Sequence, residues 1–286
     1  MKIAIVTDSI TNLRKADLDK YKNIRYVYLN VIINGESFRD LVEVDNEKLF
    51  QAIDQGGRFS TSQPAPKEFM DVYTELLKEY DYIFSLHCTE KVSGTVNAAR
   101  LAKDSLESGA EKIAVYDMNT ASIGVENAVL QVAQAIQDGK RLEEIIQLIE
   151  FNQQTSKLYL TIDDLGTLVK SGRMSKTKAA IGNLLNIKPI LGFNAETSLD
   201  VVEKVRTKKK VLKWMVDTLA RDVLNHGKHS VRITHVNAIE TAEELKRSME
   251  LELGDKITVH ISNEIGPVMA AHFGRGGFGA SWVRRN

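Results

Sequence analysis

Four short polar groups in this chain have the residue types and placement to do chemistry. Thr7, Asp8 and Ser9 close the apolar run KIAIV. Ser60, Thr61, Ser62 and Gln63 crowd into RFSTSQPAPKEFM, a span that also holds two of the four prolines. Ser93-Gly94-Thr95 stands where the strand-like DYIFSLHC gives way to a helical pattern, and Asp117, Asn119 and Thr120 follow KIAVY. Hydroxyls beside a helix start suit an anion, because free N–H groups and the positive end of the helix dipole point at it. Ser93 is therefore readable in two ways, as a plain helix cap or as a donor to a bound carboxylate. Asp8 and Asp117 also have two readings. They pair for metal or acid–base work in a phosphotransferase or hydrolase, or each caps the turn after its own strand.

Other residues carry weaker signals. Lys170, Arg173, Lys176 and Lys178 crowd one turn, as Lys208 to Lys210 do later. The first run reads as a solvated face, a docking patch or a phosphate clamp, and the two together as a nucleic-acid contact. His272 lies in MAAHFGRGG beside glycines that permit close backbone approach. His87 and His235 lack such a setting and read as structural, and Trp214 reads as core. The glycine pattern GRGGFG at 274–279 comes late and no helix follows it. No GxSxG and no GxxxxGK[ST] occurs in the chain, so neither a serine-hydrolase elbow nor an ATP cradle is written in it.

The elements that must position these groups follow from periodicity. KIAIVTDS reads as a buried strand, and Ile24 to Ile33 as a second one. Asn34-Gly35 supplies a tight reversal. Asp45 caps a helix that Gly56-Gly57 ends. The serine-rich span reads as a loop, and Pro66 opens a helix whose apolar residues recur at three and four. Strands alternating with helices predict a mostly parallel sheet flanked by helices. A second half begins near NQQTS: a strand at 157–162, a short helix closed by Gly172, a helix over 174–185, an extended NIKPILGF with Pro189 confined to an edge or bulge, then strand–helix–strand. The boundary divides the chain into an N-terminal α/β domain, 1–153, and a C-terminal α/β sandwich, 154–286.

Bulk composition narrows the function. The chain has 286 residues, 43% apolar and 27% charged, with 38 basic and 38 acidic side chains. That balance argues against general nucleic-acid or membrane-surface binding. The one cysteine, Cys88, excludes an intrachain disulfide and a cysteine metal site. No apolar run nears the roughly twenty residues that span a bilayer, and Asp8 interrupts the N-terminal run, so a cytoplasmic location is expected.

Six pieces in order resemble one family along nearly the whole chain: Thr7-Asp8-Ser9, Thr61-Ser62-Gln63-Pro64, Ser93-Gly94-Thr95, LGTLVKSGR at 165–173, Arg206-Thr207, and IGPVMAAH at 265–272. Together they resemble the DegV family, the fatty-acid-binding subunits of bacterial fatty acid kinase. The resemblance implies two α/β domains, a long-chain fatty acid buried within and between them, no cofactor, and no catalysis by this chain itself. It implies that Thr61 and Ser93 contact the carboxylate directly, with Ser62 a third. It associates Arg173 and His272 with the head-group region and with presentation to a separate ATP-binding kinase subunit. The sequence departs from the family where Ala65 replaces a serine. It departs again where Ala271-His272-Phe273-Gly274-Arg275-Gly276 replaces a Thr-His-Thr-Gly-Pro-Gly run. These changes touch the docking role of His272 and leave Thr61 and Ser93 intact.

Overall fold

The computed structural model describes residues 1–163, 165–174, 187–193 and 199–285. Its chain divides into two compact units. One comprises Met1–Gln154 with Gly266–Ala271; the other comprises Thr155–Ile265 and the residues from His272 onward.

Unit 1 is built on a parallel sheet of four strands, β1 (Ile3–Asp8), β2 (Ile24–Val27), β6 (Tyr82–His87) and β7 (Ile113–Asp117), in the order β2-β1-β6-β7. The continuous apolar reading of β1 is explained by burial of every one of its residues, as expected of a strand covered on both faces. On one face Ala4, Val6 and Ile83 pack with Phe69, Tyr73 and Leu76 of helix α3 (Pro66–Leu76) and Ala98, Ala99 and Ala102 of helix α4 (Thr95–Asp104). That core cluster holds no residue of α5 (Ile123–Gln137), which packs against β1 and β6 from the other face.

The expected single strand at 24–33 is two. After β2 the chain leaves the parallel sheet, and β3 (Asn30–Ile33) becomes the centre of a three-stranded antiparallel sheet, β4-β3-β5. The break falls at Tyr28-Leu29, where the Leu29 N–H donates to Ser9 Oγ (3.1 Å) and its carbonyl accepts from the Asp40 N–H (2.9 Å). Asn34 and Gly35, both at positive φ, turn β3 into β4 (Glu36–Arg39). The serine-rich span is likewise not wholly a loop: Phe59–Ser62 forms β5, paired to β3. Asp45 Oδ1 accepts from Lys48 N (2.8 Å) and caps α2 (Asn46–Asp54) as expected.

Unit 2 carries a mixed six-stranded sheet, in the order β10-β9-β8-β13-β11-β12. Its strands are β8 (Lys157–Thr161), β9 (Lys188–Phe193), β10 (Leu199–Val205), β11 (His229–His235), β12 (Ile257–Ile261) and β13 (Phe278–Arg284). Helices α8 (Lys208–His226) and α9 (Ile239–Leu253) bury Leu212, Met215, Leu219, Leu245 and Met249 against Val231, Ile233 and Trp282. β9 is an interior strand, so of the two settings expected for Pro189, an edge or a bulge, the edge is overturned, while the β9–β10 ladder does shift register between Val201 and Glu203, one pair away from Pro189. Pro189 is tolerated because the pairing with β8 ends at Ile190, so its missing N–H faces no partner there. The glycines of GRGGFG turn the chain into β13, with Gly274 and Gly276 at positive φ. The helix expected over 174–185 lies, apart from Met174, outside the described residues, as do Lys176 and Lys178.

Candidate functional site

β6 and β7 end side by side, and the polar groups singled out in the sequence gather at that edge of unit 1. Thr61 and Ser62 lie on β5, opposite Val31 and Asn30 of β3, and both are half-buried. The next residue, Gln63, reaches over Gly94: a Cβ built on Gly94 would fall 1.8 Å from Gln63 Oε1. Glycine at 94 is thus what lets the Thr61-Ser62-Gln63 segment close onto the start of α4. Ser93 Oγ sits 2.8 Å from Thr95 Oγ1 and accepts from the Thr95 N–H (3.3 Å). Ser93 also hydrogen-bonds the Cys88 thiol. Burial pushes that thiol well up and the Asp8 charge adds to the shift, while the Ser93 bond opposes it. Ser93 therefore does part of a cap's work while standing at a helix start beside the Thr61 strand. Pro64 is buried, and Ala65 N donates to Glu68 Oε2 (2.8 Å), which pins the entry to α3.

Asp8 and Asp117 do not form a pair. β6 separates their strands, and each carboxylate is engaged by its own neighbours. Asp117 Oδ2 accepts from Glu90 N (2.9 Å) and Thr89 Oγ1 (3.2 Å), and its Oδ1 accepts from Asn119 N (2.8 Å). Asp8 Oδ1 accepts from Ile10 N (3.2 Å) and Oδ2 lies 2.7 Å from His87 Nδ1. Among the described residues no group of three or more His, Cys, Asp or Glu side chains could hold a metal ion.

His87 leads into a buried chain that sequence reading missed. Its Nε2 is 2.6 Å from Ser85 Oγ, which is 2.7 Å from the Tyr73 hydroxyl. A carboxylate only accepts, so Nδ1 donates to Asp8. In a neutral imidazole Nε2 then accepts from Ser85, and Ser85 accepts from Tyr73. The order Asp–His–Ser matches a nucleophilic triad, but Ser85 and His87 are each 0% exposed. Ser85 Oγ is held by the Tyr73 hydroxyl as well as by His87, as in a structural network. Two signals in the sequence pointed here: Ser85 and His87 are polar at i, i+2 in an otherwise apolar strand, and Asp8 ends the neighbouring one.

Close by, Asp40 is 1% exposed. It takes the Val268 N–H at the start of α10 (Pro267–Phe273) at 3.1 Å and bonds the Ser9 hydroxyl. Burial pushes its carboxyl up to about 6 against the pull of those bonds.

In unit 2 the two head-group candidates meet. His272 is buried, and burial first, with the Arg173 charge second, pushes its imidazole down to about 4. Arg173 Nη1 donates to the Ser171 carbonyl (2.7 Å), just after α7 (Gly166–Lys170). Arg206-Thr207 serves α8: Thr207 Oγ1 accepts from Lys210 N (3.3 Å). No described helix is long and apolar enough to cross a membrane.

Residues 2–285 match the family model described as an uncharacterised protein of the DegV family. A DegV domain-containing protein of Caldanaerobacter subterraneus subsp. tengcongensis is 33% identical over 273 residues, 96% of this chain and 95% of that one. The solved structure of a DegV family protein from Thermus thermophilus, described by its fatty acid binding, superposes with a TM-score of 0.91 at 27% identity, covering 100% of both chains. That of a fatty acid binding protein from Bacillus subtilis gives 0.87 at 28%, again covering 100% of both.

Proposed function

The chain belongs to the DegV family, and from that premise we propose that it binds a long-chain fatty acid. The acid's carboxylate is held by the hydroxyls of Thr61 and Ser93, with Ser62 as a third donor. The observation that carries this reading is the closure of the Thr61 segment over Gly94. It sets two hydroxyl-bearing segments together at the N-terminal end of α4. A carboxylate cannot be buried unpaired. Hydroxyl donors and a helix N-terminus offset that cost, at about 1.5–3 kcal/mol per charge-assisted hydrogen bond. The tail supplies affinity: at about 0.8 kcal/mol per methylene, roughly fifteen methylenes contribute on the order of 12 kcal/mol before association entropy is subtracted. Pro64 and Pro66 hold the loop in place in advance, which lowers the ordering cost.

The finer part of the proposal concerns a partner. The protein works in the cytoplasm and presents the carboxylate to a separate ATP-binding kinase subunit, which forms the acyl phosphate. Arg173 and a neutral His272 serve that presentation. This chain supplies no phosphate-transferring group of its own.

Two experiments test the reading. Protein purified natively and then denatured should release a fatty acid detectable by mass spectrometry, and delipidated protein should take up stearate. Thr61→Ala and Ser93→Ala should each weaken stearate retention. A wild-type protein that releases no lipid and takes none up contradicts the proposal. For the partner, ATP turnover by the kinase subunit should require this chain loaded with fatty acid; turnover indifferent to it contradicts that part alone.

A further inference from the structure

The edge that carries Ser93 also carries a hydroxyl the proposed site does not use. Thr120 is 2% exposed, and among the described residues its Oγ1 has no hydrogen-bond partner. Nearby hydroxyls are engaged: Thr7 donates to the Leu86 carbonyl, Thr11 to the Asp8 carbonyl and Thr89 to Asp117. A buried hydroxyl left without a partner is unfavourable, so Thr120 marks a position where something outside the chain completes the structure.

Its placement says what that is. The Thr120 hydroxyl lies over the first turn of α5, 2.2 Å from where a Cβ on Gly124 would stand. Glycine at 124 makes the room. α5 is 15 residues long, and its N-cap residue, Ser122, gives no side-chain hydrogen bond to the first turn. Donors and the positive end of a helix dipole therefore converge there. The position is tied to Ser93 through one residue: the Thr120 carbonyl accepts from Thr89 N (2.9 Å), and the Thr89 carbonyl accepts from Ser93 N (3.3 Å). The topology agrees. β6 leads into α4 on one face of the sheet, while β7 leads into α5 on the other. Adjacent strands whose helices depart to opposite faces open a crevice at their carboxyl ends, the usual ligand position of a parallel sheet. Ser93 approaches that crevice from one side and Thr120 from the other.

We propose that Thr120 and the N-terminus of α5 form a second oxyanion-binding position in unit 1, which receives a carboxylate oxygen of the bound acid. The inference rests on the fatty-acid reading and adds a residue to it. Thr120 is a specificity-determining donor: it favours an acid over an uncharged chain of equal length.

The test compares stearate with octadecanol on delipidated wild-type, Thr120→Val and Thr120→Ser proteins by calorimetric titration. Valine keeps the shape and removes the hydroxyl; serine keeps the hydroxyl. Thr120→Val should bind stearate about ten- to a hundred-fold more weakly, the worth of one charge-assisted hydrogen bond. It should bind octadecanol with less than about three-fold change, and Thr120→Ser should restore most of the stearate affinity. Without ligand, Thr120→Val should unfold no earlier than wild type, since it removes an unpaired polar group. Unchanged stearate binding, equal weakening toward both ligands, or a destabilised ligand-free Thr120→Val protein each overturns the inference and leaves the Thr61–Ser93 reading standing. A wild-type protein that binds stearate no better than buffer overturns the fatty-acid reading itself, and this inference with it.

Discussion

Asp40 offers a quantitative test of the packing around the site. Its carboxyl is raised from an ordinary 3.8 to about 6, first by burial, while the Ser9 hydroxyl and the Val268 N–H pull the other way. A carboxyl that holds its proton more tightly in the folded chain contributes stability that is fully present below the unfolded pKa. That contribution is lost as pH rises through the folded pKa. Between about pH 3 and pH 7 the wild-type protein should therefore lose stability at this one residue. At about 1.4 kcal/mol per pH unit of separation, the loss is about 3 kcal/mol. Asp40→Asn keeps an acceptor for the Val268 N–H and cannot ionise, so it escapes the loss. Urea unfolding of both proteins across this range isolates the effect, because every other titrating group is common to the two. The variant's stability relative to wild type should climb by about 3 kcal/mol from pH 3 to pH 7 and stay level above that. In melting temperature the climb is about 6–12 °C. A difference that stays constant with pH would show that Asp40 ionises freely, and the burial argument would be wrong.

Gly94→Ala should cost little stability, since the atom its Cβ meets is the end of an exposed glutamine side chain. It should still weaken stearate binding by displacing Gln63, and equal losses in both would count against a functional closure. A serine-directed fluorophosphonate should leave Ser85 unlabelled in the folded protein. His87→Ala should destabilise it by about 1–3 kcal/mol in urea unfolding, the cost of leaving the buried Asp8 carboxylate without that donor. The His272 imidazole should titrate near 4 by NMR, neutral at pH 7. Arg173→Ala should raise it only partway toward the ordinary value, because burial is the larger cause.

Much of unit 1 was legible in the sequence because its signals are local. The unbroken apolar run of β1, the Asn34-Gly35 turn, the cap at Asp45 and the spacing of Phe69, Tyr73 and Leu76 each follow from a few neighbouring residues. What escaped depends on distant partners. The division of 24–33 into two strands requires Ser9 and Asp40 to seize Leu29. Thr61 lies on a strand only because β3 is there to pair with it. The interior position of Pro189 depends on where β8 stops. Likewise the Asp8–His87–Ser85–Tyr73 chain joins residues up to 79 positions apart. At the site, the hydroxyl-rich segments and their order were visible. The contact that brings two of them together was not, since nothing in Gln63 or Gly94 alone announces that one fits over the other. The spacing of Thr120 and Gly124 was open to view, but its meaning needed the first turn of α5.

The central claim is that hydroxyls from two separate segments jointly hold one acid group. A crystal of the protein grown with stearate tests it most directly. The account predicts the carboxylate within about 3 Å of both Thr61 Oγ1 and Ser93 Oγ, with the chain running into apolar surroundings. A carboxylate bound elsewhere, or bound to only one of the two hydroxyls, would contradict it.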